Sequence, residues 1–544
     1  MRIECFNQAT GVLVAGLCFH AGLGGSAWAD SNKPLPEMPA GPYKADWESI
    51  RQHPACAEWF ADAKFGIYTH WTPQSIPEAA SNGTGYPTYM YNDRRGQFEF
   101  HKEHYGDQKE FGFKDFIPMF TADKFDADEW ADLFAAAGAR FAGPVAVHHD
   151  NFAMWDSKAT KWNAANMGPE KDISGLLAEA YKKRGMKFIA TFHHSWTWGY
   201  YAPASLYDGA DPDTWELYGE PREFTREEKK GNYANAGFPT KRYLDQWLGM
   251  VNEVVTQYEP EMIWFDIGLD GRKCVTPEYQ QQVFADYYNW AAANGKEVLV
   301  SHKEKDLLPY VGIKDYERGR SEFLRPDVWM TDSTIGRSWF YQPRFDGQWH
   351  DANWVVDILM DIVAKNGVLL LNIPPHPDGS IPEEGAAELK KIGAWLDING
   401  NAVYNTRPWT VYGEPHKPLS SRNGRGDEDV DVVYTQEDIR FTQSKDGSVV
   451  NVIVLGWPEA EFTVKSIKVD DAADATISLL GSAENVGFRI NDKRQLVVVP
   501  PREKPCEFAY SFQLKGFKLS VHEEADKEAF KQASDDGGFS NVAE

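Results

Sequence analysis

The sequence predicts an α/β protein: a (β/α)8-like barrel followed by a C-terminal antiparallel β-sandwich. Between residues 65 and 405, eight short apolar runs alternate with stretches of helical periodicity, the pattern of a parallel sheet with crossover helices. Several of these runs end in a polar residue able to do chemistry, which is where a barrel builds its active site. After Trp409 the texture changes to short β-rich runs, two of them joined by the hairpin signal Asp446-Gly447. An open doubly wound sheet would carry a Gly-rich phosphate turn after its first strand, and none is visible.

The elements follow in order. A short helix is expected at 54–63 and a first strand at 65–70, ending in His70. The stretch 71–121 is irregular and rich in Tyr, Asn and Gly. An amphipathic helix is expected over 126–137, with Asp126 as N-cap and Gly138 as stop. A strand at 140–147 leads into His148-His149-Asp150. A helix over 172–184 stops at Gly185, and a strand at 187–194 ends in His193-His194. A helix over 243–258 precedes the strand 261–266, an apolar run that ends in Asp266. Helices are expected at 278–294, 354–365 and 383–396, and strands at 297–302, 328–331, 368–373 and 402–405. Beyond the barrel, β-runs are expected at 431–435, 439–443, 449–455, 462–469, 476–480, 496–499 and 508–514. The domains are therefore 1–29 signal peptide, 30–407 barrel, 408–521 sandwich and 522–544 acidic, disordered tail.

Composition limits the function. A chain of 544 residues exceeds one compact core. A net charge of −25 with no polybasic run argues against nucleic acid, anionic membrane surfaces and long polyanionic substrates. Twenty Trp, 24 Tyr and 31 Phe supply aromatic faces suited to the C–H faces of sugars, and equally to core packing. Arg2, the apolar stretch 11–23 and Ala27-Trp28-Ala29 read as a secretory signal, so export to the periplasm or beyond is expected. Leu17 is too large for a lipid-attachment site at Cys18. Cys56, Cys274 and Cys506 remain after cleavage, with no metal spacing and no disulfide framework. No later run is long enough to insert in a membrane. A homo-oligomer is compatible with the sequence.

Asp266, with two aromatics before it at a strand end, is the best nucleophile candidate. Position alone leaves a cap for the following turn equally open. Glu317, in Asp315-Tyr316-Glu317-Arg318-Gly319, is the best second carboxylate for a pair that cleaves a glycosidic bond. Any single Glu in such a charged loop reads first as a solvated surface residue. His70, His148, His149, His193, His194 and His302 all fall at strand ends. Histidine offers sugar hydroxyls both donor and acceptor, and it is also the commonest metal ligand. Two adjacent histidines reach one ligand only where the strand is already breaking.

These residues resemble the α-L-fucosidases, retaining exo-acting glycoside hydrolases. The resemblance is carried in order by Phe65-Gly66-Ile67-Tyr68-Thr69-His70-Trp71, Val147-His148-His149-Asp150-Asn151-Phe152, Trp264-Phe265-Asp266 and the Glu317 segment. Trp329, Thr334-Ile335-Gly336-Arg337-Ser338-Trp339 and Leu370-Leu371-Asn372-Ile373-Pro374-Pro375 continue it. It implies a barrel plus sandwich, Asp266 as nucleophile and Glu317 as acid/base. It also implies fucose hydroxyls held by His70, His148 and His149, pocket walls from Trp264 and Trp339, and no metal or organic cofactor. The implied partner is a fucosylated oligosaccharide or polysaccharide. Some family members place the acid/base just after the Trp equivalent to Trp329. Here that position is Met330, which favours Glu317. Thr84, Gly85 and Thr72 depart from the family pattern, and His193 stands where a Tyr is common. These departures bear on leaving-group specificity. A secreted, non-catalytic carbohydrate-binding protein and a metal-dependent hydrolase are the competing functions.

Overall fold

The computed structural model describes residues 36–223, 237–269, 274–303, 308, 311–321, 323–414, 433–523 and 525. The expected signal peptide lies outside them, as does nearly all of the expected acidic tail. Eight parallel strands close a barrel in chain order: β1 Phe65–Thr69, β2 Phe141–Val147, β3 Lys187–Phe192, β4 Met262–Phe265, β5 Leu299–Lys303, β6 Ile313–Asp315, β7 Trp329–Thr334 and β8 Gly367–Asn372. β8 pairs with β1 to seal it.

The sequence explains the barrel by alternation. Side chains two apart on a strand share a face. Tyr68, Phe141, Val145, Ile189, Met262, Trp264, Leu299, Ile313, Met330, Val368 and Leu370 form one core cluster, which fills the barrel. Their neighbours Ile67, Ile263, Phe265, Val300, Leu369 and Leu371 belong to a second cluster, shared with the surrounding helices. Among those helices, Ala127–Ala136 is capped by Asp126, whose side chain accepts from the amides of Asp128 and Glu129, as expected.

In the barrel, one expected strand is absent and one observed strand was not foreseen. Residues 402–405 follow the Glu383–Asn399 helix as a 3-10 turn and loop, because the chain there is turning out of the barrel. The missing strand is β6, with Lys314 exposed between Ile313 and Asp315. Its single apolar side chain leaves no run to detect. β3 also stops at Phe192 rather than at His194, and His194–Trp196 form a 3-10 turn.

The second unit is a β-sandwich. Its strands are β9 Thr406–Glu414, β10 Ile439–Ser444, β11 Val449–Val454, β12 Phe462–Asp471, β13 Thr476–Leu479, β14 Gly487–Ile490, β15 Gln495–Val499, β16 Tyr510–Lys515 and β17 Lys518–Val521. They form two antiparallel sheets, ordered β13-β16-β11-β10-β9 and β14-β15-β12-β17, around one shared apolar core. Asp446-Gly447 turns β10 into β11, with Gly447 at φ +70°. The run expected at 431–435 is not a strand where it is described. β9, β14 and β17 were not foreseen. The barrel holds the sandwich through a buried ion cluster: Asp361, on the Ala352–Ala364 helix, lies 2.8 Å from Lys365 Nζ and 2.7 Å from Arg440 Nε on β10.

Candidate active site

The alternation that fills the barrel also builds its top layer. Two residues beyond the inward-facing Tyr68, Thr191, Trp264 and Leu370 come His70, His193, Asp266 and Asn372. Lys303 stands two beyond Ser301, and Asp332 two beyond Met330. All but Asn372 line one cavity of about 480 Å³. The same cavity takes in His148, His149, Glu317, Trp264 and Trp339, so both candidate acids, both tryptophans and four of the six strand-end histidines are brought to one place. His148 and His149 reach it together because β2 has already ended at Val147.

Lys303 organises the acids. Its side chain is 2% exposed. Its ammonium lies 2.7 Å from Asp315 Oδ2 and 2.9 Å from Asp332 Oδ1, and 3.9 Å from Asp266 Oδ1 and 3.8 Å from Glu317 Oε2. Burial opposes the Lys303 charge, but Asp315 and Asp332, then Glu317 and Asp266, outweigh it and hold its pKa well above the usual lysine value. Burial also works against ionised Asp266. The hydrogen bond from His149 and the Lys303 ammonium more than offset it, so Asp266 stays well below the ordinary carboxylate range. Asp315 goes the other way, pushed up by burial and by the neighbouring Asp332 carboxylate. A turn closed by Gly319 N donating to Tyr316 O at 2.7 Å presents Glu317. Its side chain is 28% exposed, the more accessible of the two candidate acids.

The histidines are oriented from behind. Asn372 donates to Trp339 O at 2.9 Å, which turns its Oδ1 toward His70 Nδ1 at 3.0 Å. A carbonyl oxygen accepts only, so His70 carries its proton on Nδ1 and leaves Nε2 as an acceptor. Gln74 does the same for His148: it donates to Glu78 Oε1 at 2.8 Å, and its Oε1 accepts from His148 Nδ1 at 3.1 Å. Burial lowers His70 to about 4 and takes His148 and His193 well below the ordinary value, so all three are neutral at pH 7. His149 donates from Nδ1 to His193 O at 2.5 Å, and its Nε2 lies 3.2 Å from Asp266 Oδ2. The walls are aromatic. Trp264 carries Lys303 over its ring at 4.7 Å, and Trp339 lies beside His70, ring centroids 5.1 Å apart.

Two strand-end histidines do not belong to the cavity. His194 stacks on Trp247 behind it, and His302 faces the main-chain oxygens of Lys303 and Val311. Sequence reasoning missed Lys303, Asp332, Gln74 and Glu78. Strand phase could have found Lys303, since Ser301 and Lys303 share the inward face and His302 does not. Thr84 and Gly85, the departures noted above, line the cavity beside Tyr89. The buried Glu78, pushed up to about 8 by desolvation, accepts from Gly85 N at 2.5 Å.

A family model described as alpha-L-fucosidase matches residues 35–401, and one described as alpha-L-fucosidase C-terminal domain matches residues 433–515. The chain belongs to the α-L-fucosidase family. Tissue α-L-fucosidase of Bos taurus is 28% identical over 493 residues, covering 88% of this chain and 92% of the relative. The Homo sapiens tissue enzyme is 28% identical over 496 residues, with the same coverage of 88% and 92%. Among solved structures, Thermotoga maritima α-fucosidase with fucose is 27% identical. It superposes with a TM-score of 0.66 over 87% of this chain and 100% of that one. Its complex with a mechanism-based inhibitor gives a TM-score of 0.68, at 27% identity over 87% and 100% of the two chains. The fucosidase is therefore a glycoside hydrolase on a barrel-plus-sandwich scaffold. Among its described residues no helix is long and apolar enough to cross a membrane, and Cys56, Cys274 and Cys506 are in no disulfide.

Proposed function

We propose that the enzyme removes terminal α-L-fucosyl units from glycans by double displacement with retention. The observation that carries this reading is the pair Asp266 and Glu317, both within 4 Å of the Lys303 ammonium and both facing a sugar-sized cavity. A retaining glycosidase needs one ionised carboxylate and one proton donor about 5–5.5 Å apart. Asp266, kept ionised by His149 and Lys303, attacks C1 of the fucosyl unit. Glu317 gives its proton to the departing glycosidic oxygen as the C1–O bond breaks. Glu317 then takes a proton from water, the water oxygen bonds to C1, and Asp266 leaves as carboxylate. The sugar is held by neutral acceptors on His70 and His148 and by His149 and His193. Trp264 and Trp339 cover its apolar face and C6 methyl group. The mechanism-based inhibitor complex of the Thermotoga maritima relative supports a covalent course. Export of the protein is part of the same reading and rests on the N-terminal signal features.

The test is product stereochemistry. Asp266→Ala should lose turnover, and azide should restore it by forming β-L-fucosyl azide. Glu317→Ala should lose most activity on poor leaving groups, and azide should there give the α-anomer. Undiminished turnover in Asp266→Ala would end the proposal. An inactive chain that still binds L-fucose would favour the carbohydrate-binding alternative.

A further inference from the structure

Inside the fucose cavity, three imidazoles converge in a way that binding sugar hydroxyls does not by itself require. His70, His148 and His193 are 3%, 7% and 2% exposed. One ring nitrogen of each lies within 4.8 Å of the other two. The ring centroids are 5.6 Å apart for His70–His148, 5.0 Å for His70–His193 and 4.8 Å for His148–His193. His193 also carries a buried Nδ1 with no hydrogen-bond partner, an orphan that such a site seldom tolerates without a use.

We infer that His70, His148 and His193 form a three-imidazole site for a divalent, borderline-soft metal ion such as Zn2+, and that such an ion competes with fucose for the pocket. The donor chemistry suits Zn2+, which takes neutral imidazole nitrogen at about 2.0–2.1 Å and keeps a fourth position for water. Other imidazole-preferring ions follow the usual order of affinity, with Cu2+ above Zn2+. The supports that a metal-ligating histidine needs behind it are already present. Asn372 Oδ1 holds His70 Nδ1 at 3.0 Å, and Gln74 Oε1 holds His148 Nδ1 at 3.1 Å. Each leaves Nε2 as the free lone pair, as in a polarised ligand pair. Asp266 and Asp332, both beside the Lys303 ammonium, offset its repulsion across the cavity. The role is inhibitory: the same lone pairs cannot accept from fucose hydroxyls while they hold a metal. The metal site stands on geometry alone, whereas its inhibitory consequence rests on the fucosidase reading.

The experiment is calorimetric titration of the untagged full-length chain with ZnCl2, with and without saturating L-fucose, and a Co2+ absorption spectrum. One Zn2+ should bind per chain, L-fucose should weaken that binding, and Co2+ should show the visible bands of a tetrahedral nitrogen site. His193→Phe should lower Zn2+ affinity by more than about tenfold, the loss produced by removing even a ligand's supporting partner. Absence of binding overturns the inference. So does binding that survives both His193→Phe and L-fucose. If His193→Phe fails to fold, the L-fucose competition decides. If L-fucose alone gives no heat, the sugar reading fails, while the His193→Phe titration still decides the metal site.

Discussion

Lys303→Met is the most informative single change, because one ammonium serves both the fold and the nucleophile. The substitution keeps the apolar stem and removes the charge. Two charge-assisted hydrogen bonds, at 2.7 Å to Asp315 and 2.9 Å to Asp332, disappear. Each is worth about 1.5–3 kcal/mol. Asp315 and Asp332 side chains are 0% and 2% exposed, so no solvent replaces the lost partner. Removing one member of such a buried group costs about 3–5 kcal/mol. Urea denaturation followed by far-UV circular dichroism should find a loss of that size. The barrel transition should move and the sandwich transition should not, if the two separate. The second effect is on acid tolerance. Asp266 works as a carboxylate, so activity is present above its pKa and is lost as pH falls through it. Lys303 is one of the groups that depress that pKa, so the acid limb of kcat/KM against an aryl α-L-fucoside should move to higher pH. A stability change under about 1 kcal/mol, or an acid limb that stays in place, would refute the role given to Lys303.

Asp361→Asn should destabilise the enzyme by about 3–5 kcal/mol at pH 7, because Lys365 and Arg440 are then buried without their carboxylate. Burial works against ionised Asp361, but Lys365 and Arg440 depress it to about 2 from 3.8. Its stabilisation is therefore complete above 3.8 and is lost as pH falls toward 2; a denaturation series over pH 5 to 2 should show this loss in the parent and not in the variant. Gly393→Ala should cost about 1–3 kcal/mol, since a Cβ there would sit 1.8 Å from Ala136 O on the neighbouring helix. An unchanged melting temperature would contradict that close approach. Gln74→Leu should raise KM more than it lowers kcat, because His148 loses the partner that fixes its proton on Nδ1. Equal effects on both would remove Gln74 from substrate positioning.

Most of the barrel was legible because its strands are buried on both faces and read as apolar runs. β6 was not, since Ile313 is its only apolar side chain and the fold needs just Ile313 and Asp315 inward. The run at 402–405 misled because a short apolar stretch after a helix looks like a strand when only its composition is seen. In the sandwich, β9 contains Pro408, which central strands exclude. It is tolerated because β9 is the edge of its sheet. β14 is largely exposed, and β17 is four residues long with only Leu519 and Val521 turned to the core. The strand-end rule pointed to Asp266, His70 and His193, and the search for a second carboxylate pointed to Glu317, to which the family resemblance added weight. Lys303 escaped because the adjacent His302 looked more chemical, although strand phase turns His302 away from the cavity. Gln74 and Glu78 act from the start and the middle of a short helix, Ser75–Ser81, in a stretch that the sequence reads as irregular but that also folds into helices at Tyr86–Tyr89 and Gly96–His104.

The seam between β6 and β7 carries a last consequence. Ladder pairing there is Asp315 opposite Met330, extended by Tyr316 N donating to Met330 O and Arg318 N donating to Asp332 O, both at 2.9 Å. The join is completed by Asp332 N donating to Asp315 Oδ1 at 3.0 Å and by Thr331 Oγ1 donating to Tyr316 O at 2.5 Å. The weakest stave of the barrel is thus riveted by side chains from the charge cluster beneath the reaction centre. Amide exchange in this seam and the pH limit of turnover share a single set of rivets. An engineer who loosens one to tune acidity will also open the wall that aims Glu317.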